Sequence, residues 1–212
     1  MQGSKAWLAP LTGIVFVVLV IISVIVAGDL PDATEDSAEE VLDFYVENED
    51  AVVAGSLLFG IAAVFLLFFA GTVRRALRDA EGPSGTLSAV AFGGAVVLAV
   101  GIATSATLAI ATADIVGDVE DPIVFQAMNA ISWGYFVPMA VGTITFLVAS
   151  GISIVRHAPL PKWLGWVAIV AGIITFSPAF PVGIALSALW VLTVSVLLSR
   201  SAREAGTAPP AA

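Results

Sequence analysis

The sequence predicts an all-α protein, a polytopic bundle of six transmembrane helices. Both termini are expected on the cytoplasmic side, with a short amphipathic helix in the first outer loop. Three observations predict this. Six runs contain no Asp, Glu, Lys, Arg or His: residues 8–27, 51–73, 87–113, 131–155, 163–180 and 182–198. Residues 29–50 hold ten Asp or Glu and no Lys or Arg. All eight basic residues fall on one side of the layout that these runs define.

A spanning helix needs about 20 apolar residues. At about 1.5 Å per residue, even the 17-residue run covers roughly 25 Å. Composition agrees, with 59% hydrophobic and 12% charged residues. Soluble domains carry about 25% charged residues. Mean hydropathy is +1.03. The Ala, Val and Gly content points to a bacterial source. No cysteine is present, which excludes disulfides, thiolate metal sites and a Cys nucleophile.

Helix 1 follows Lys5, and Trp7 stands at its inner boundary. A second reading of this run is a cleaved signal peptide ending at Ile25-Val26-Ala27. Five spans then remain, in the same orientation. The acidic segment 29–50 comes next and belongs outside, because positive charge marks the cytoplasmic side. Within it, Ser37 and Glu40 fit a capping box. Ala38, Val41, Leu42 and Tyr45 then recur at helical spacing, one face of the amphipathic helix. The acids could take a divalent cation, yet the regular calcium-loop pattern is missing, so no metal site is assigned.

Helix 2 ends at Arg74, Arg75 and Arg78, inside. Helix 3 carries a four-residue ladder of small side chains: Ala91, Ala95, Ala99, Ala103, Thr107 and Ala111, widened by Gly93, Gly94 and Gly101. Such spacing lets membrane helices approach closely. The third loop adds four acids, Asp114, Asp118, Glu120 and Asp121, on the outer side.

Helix 4 opens on a polar cluster, Gln126, Asn129, Ser132, Trp133 and Tyr135, with Pro138 after it. Gln126, Asn129 and Trp133 share one face. These five residues are the candidate ligand-binding set, an outward pocket offering amide, hydroxyl and aromatic groups. The alternative reading is helix capping and interfacial anchoring. Arg156 and Lys162 bracket the inner loop before helix 5, whose Trp163 and Trp166 anchor at the boundary. Ser177-Pro178-Ala179-Phe180-Pro181 makes a tight turn into helix 6. Helices 5 and 6 are the shortest, and a re-entrant pair is their second reading. Trp190, at mid-membrane, is expected to pack between helices with one hydrogen bond. Residues 1–199 form the membrane domain, and residues 200–212 are expected to be a disordered cytoplasmic tail.

No ionisable side chain other than Tyr135 falls within the six runs. Proton relays and ion pathways need such groups, so a proton-coupled pump is disfavoured. His157 stands alone and makes no metal site. Phosphate-loop, nucleophile-elbow and zinc-protease patterns are absent, so no catalytic residue, metal or cofactor is assigned.

The Arg156–Trp166 stretch, with Leu160-Pro161-Lys162-Trp163-Leu164-Gly165-Trp166 opening an apolar helix, resembles uncharacterised bacterial six-helix membrane proteins classed as domains of unknown function. The acidic loop with Glu39-Glu40-Val41-Leu42-Asp43-Phe44-Tyr45 fits the same resemblance. It implies a fold type and a bacterial cytoplasmic-membrane location. It implies no activity.

Two function classes stay open. The first is a non-enzymatic protein that binds a membrane partner, or itself, or senses the envelope. The second is a transporter or permease-like protein for a small neutral or apolar solute. The bilayer is a partner in both, and nucleic acid in neither.

Overall fold

The computed structural model describes residues 6–32, 35–134 and 136–207. Lys5, Tyr135 and residues 208–212 therefore lie outside the described residues. Among those described, a short 3-10 turn (Ala6–Leu11) leads into seven α-helices. These are α1 (Thr12–Ala27), α2 (Ala38–Glu81), α3 (Thr86–Asp114), α4 (Pro122–Gly134), α5 (Phe136–His157), α6 (Lys162–Ile174) and α7 (Phe180–Thr207). Five stretches are long and apolar enough to cross a membrane: Trp7–Ala27, Ala38–Glu81, Thr86–Asp114, Pro122–His157 and Phe180–Glu204.

Packing follows chain order. α1 lies on α2, α2 on α3, α3 on α5, α5 on α6 and α6 on α7; α7 returns to α1 and the N-terminal turn. The short α4 sits at one end, against α2 and α3. Apolar side chains on the outside of such a ring meet lipid. Ile25, Phe68, Val100 and Leu189 are accordingly exposed.

The capping box forms as expected. Glu40 N–H donates to Ser37 Oγ at 3.3 Å, and Ser37 N–H donates to Glu40 Oε2 at 2.8 Å. The backbone bond, then the hydroxyl, hold the Glu40 carboxyl below its ordinary pKa. The amphipathic helix is not separate, however. It continues into α2 through a kink at Asn48 (φ −122°, ψ 17°), whose side-chain amide donates to Phe44 O at 2.9 Å. Val41 and Tyr45 are buried, and the face with Glu39, Asp43 and Glu47 is open.

The small-residue ladder on α3 is half right. Ala91, Ala95 and Ala99 are buried, but Ala103 and Thr107 are exposed, and Ile102, Ala106 and Ala109 take over. A four-residue step turns about 400° on an ideal helix, so the row drifts about 40° per step. Three steps carry it off the contact face. The glycines make the closest approach. A Cβ on Gly94 would meet the backbone of Thr145 and Phe146, and one on Gly142 the backbone of Leu98. Gly93 has nothing within 4 Å.

Three further boundaries differ from expectation. The helix expected from residue 131 is preceded by α4, starting at Pro122, where Asp121 Oδ1 accepts from Ile123 N–H at 3.1 Å. Pro138 falls in the first turn of α5, where a missing N–H costs no helical bond. α6 has only 13 residues, or about 20 Å, short of the roughly 30 Å hydrocarbon core. It and α7 form a hairpin joined through Thr175–Ala179, where Ser177 Oγ accepts from Ala179 N–H. Lastly, the expected tail is helical as far as Thr207. Ser199 Oγ donates to Trp7 O at 3.0 Å, and the Arg203 guanidinium stacks 3.9 Å from the Trp7 ring centroid. Those two contacts hold the end of α7 on the N-terminal turn.

Trp190 behaves as expected. It is 1% exposed, its indole N–H donates to Leu164 O at 3.0 Å, and its ring meets Phe69 and Phe146 edge-on.

Candidate functional site

The site is a polar cap at the acidic end of the bundle. Gly28, at φ 75°, turns the chain out of α1. The segment after it brings Pro31 into a buried position. Across from it, α4 stands on the amphipathic start of α2 through an apolar contact of Val41, Tyr45, Ala109, Ala113 and Phe125. The Tyr45 and Phe125 rings are 6.2 Å apart.

Gln126, Asn129 and Trp133 occupy one face of α4, as their spacing predicts, and all three face the first loop. Asn129 is 2% exposed. Its Nδ2 donates to Pro31 O at 2.9 Å, and its Oδ1 accepts from the Tyr45 hydroxyl at 3.4 Å. Trp133 Nε1 donates to the same Pro31 O at 3.1 Å. Gln126 Nε2 donates to Asp36 O at 3.3 Å. The loop closes on itself as well: Asp32 N–H donates to Asp36 Oδ2 at 2.7 Å. Ser132 takes no part, since its hydroxyl returns to Met128 O. The fifth candidate, Tyr135, lies outside the described residues.

The partners were the missing half. Pro31, Asp36 and Tyr45 lie 84 to 102 residues away in sequence. Tyr45 alone carried a signal, its place on the buried face of the amphipathic helix. It stands before the apolar stretch 51–73, outside the membrane span. Burial pushes its hydroxyl up to about 12, against a smaller opposing effect of a hydrogen bond with Thr112. Like any tyrosine hydroxyl at neutral pH it is protonated, and it donates to Asn129 Oδ1.

Two donors on one carbonyl use both of its lone pairs. The amides and the indole of α4 are thus bonded within the chain and act as a tether. The bonds run from α4 to the first loop, so they are neither a cap of α4 itself nor donors left free for a ligand; interfacial anchoring by the half-exposed Trp133 is compatible with them. Around the tether the surface is acidic. Glu39, Glu40, Asp43, Glu47, Glu49 and Asp50 are exposed, as are Asp114, Asp118, Glu120 and Asp121 across the cap. Among the described residues, no group of three His, Cys, Asp or Glu could hold a metal ion.

No curated protein and no solved structure matches the chain. A family model described as Domain of unknown function (DUF4386) matches residues 11–200, from the N-terminal turn to the last turns of α7. The chain belongs to that family.

Proposed function

We propose that this is a non-enzymatic protein of the bacterial cytoplasmic membrane, with both termini inside, that binds a partner or senses the envelope through its acidic outer cap. The observation that carries the reading is the tether. Three side chains of α4 bond to Pro31 and Asp36 of the first loop, across a separation of 90 to 102 residues. Such fixing suits a recognition surface, which gains affinity from being pre-organised. The orientation rests on the separation of charge, with every described basic residue at the opposite end.

The permease reading is weaker. The hydroxyls of Thr104 and Thr107 return to their own helix, at Val100 O and Ala103 O. The amide of Asn129 is bound to the loop.

A photo-crosslinking residue placed at Asp43 or Glu47 in living cells tests the proposal. We expect a discrete adduct at each position, and solute flux in proteoliposomes no greater than in empty vesicles. Saturable flux of a neutral solute, without adducts from the cap, would replace this reading with the permease one.

A further inference from the structure

The basic end of the bundle holds an apolar groove that ends in arginines. Its walls come from four elements, through Pro10, Leu67, Phe68, Phe92 and Leu198. Its volume is about 580 Å³. A second space of about 410 Å³, lined by Arg74, Arg75 and Arg78, shares Gly71, Arg75 and Asp79 with it. Gly71 leaves the junction open, since a Cβ there would touch nothing within 4 Å.

The charge at the mouth is unbalanced. All three arginines are exposed. Asp79 is the one acid that lines either space. Glu81, the next acid along α2, is turned away and accepts from Ser153 Oγ and Leu87 N–H. Arg74 lies 5.2 Å from the Phe92 ring centroid, so its guanidinium is held against the groove wall.

Depth separates the two halves of the groove. Arg74 directly follows the apolar run 51–73. Leu67 is eight residues before Arg75 on the same helix, about 12 Å deeper. Cationic groups at headgroup depth with an apolar cleft below them match an amphiphile, not a soluble anion. Basic juxtamembrane residues also attract anionic lipid at about 1 kcal/mol each.

We infer that this groove seats an anionic phospholipid. Its phosphate lies among Arg74, Arg75 and Arg78, and an acyl chain runs along Leu67, Phe68, Phe92 and Leu198. The inference rests on the membrane reading of the fold and is independent of which side faces out and of the role of the cap.

Native mass spectrometry of the full chain in detergent tests it, with phosphatidylglycerol, phosphatidylcholine and glycerol 3-phosphate as the three probes. The wild type is expected to retain phosphatidylglycerol in preference to the other two. The triple variant Arg74→Gln/Arg75→Gln/Arg78→Gln is expected to lose on the order of a hundredfold in apparent affinity, at roughly fivefold per arginine. Arg156→Gln, a basic residue that lines neither space, should bind as the wild type does. Gly71→Leu places its Cβ where nothing lies within 4 Å, projects its branched end into the junction, and should weaken phosphatidylglycerol while leaving the three charges in place. Equal retention of phosphatidylglycerol and phosphatidylcholine, or undiminished binding by the triple variant or by Gly71→Leu, would overturn the inference. Binding of glycerol 3-phosphate as strong as that of phosphatidylglycerol would overturn it in favour of a free phosphate.

Discussion

Adding one methyl group at Gly142 is expected to lower the melting temperature of the purified protein in detergent by about 2–12 °C. The new Cβ would sit 2.7 Å from Leu98 Cα and 2.8 Å from Leu98 Cβ, and closer still to the Leu98 amide. Backbone cannot step aside as a flexible side chain can. The α3 and α5 axes must separate, and overpacking of this kind costs about 1–3 kcal/mol or more. For a chain of this size each kcal/mol shifts melting by about 2–4 °C. Gly93→Ala is the matched control. It faces outward with nothing within 4 Å, and an alanine in an exposed helix is favoured over glycine by up to about 1 kcal/mol. Differential scanning fluorimetry of the two variants checks the account. Equal melting points would remove the close approach of α3 and α5 as a stabilising contact of the bundle.

The second large effect is a coupling across the cap. Asn129→Ala removes the acceptor of the buried Tyr45 hydroxyl and one donor to Pro31 O. Leaving a buried polar group unpaired costs about 1–3 kcal/mol. Trp133→Phe removes the other donor to the same carbonyl, for about 1 kcal/mol. In each single variant Pro31 O keeps one partner. In the double variant it keeps neither, so the two losses should exceed their sum by about 1 kcal/mol. Thermal melts of the four proteins measure that excess, and limited proteolysis should cut the first loop fastest in the double variant. Additive losses would mean that the two donors do not share one tether.

The bundle was legible because lipid imposes a simple rule: uncharged runs must be long, and charge must stay at the ends. The cap was legible only on one side. Gln126, Asn129 and Trp133 could be placed on a common face by helical spacing, but no local pattern announces that Pro31 and Asp36 lie opposite. The α3 ladder misled because a four-residue row and a 3.6-residue helix drift apart. The tail at Arg200–Thr207 misleads because its composition hides the contact of Arg203 with Trp7, next to that of Ser199. In the sequence, the arginines after helix 2 mark sidedness and nothing more. Their second property, a groove below them, needs Pro10, Phe92 and Leu198 from three other elements and has no signature in the local sequence.

The proposal that the acidic cap is the working surface outside the cell depends on sidedness. Single cysteines at Glu47, Asp118 and Ser84, in a chain that has no native cysteine, measure it most directly. Glu47 and Asp118 are exposed at the acidic end, and Ser84 lies between α2 and α3 at the basic end. In intact cells, a membrane-impermeant thiol reagent should label the cysteines at positions 47 and 118 and spare the one at position 84 until the membrane is permeabilised. Labelling at position 84 with protection at positions 47 and 118 would put the acidic cap in the cytoplasm and contradict the proposed orientation.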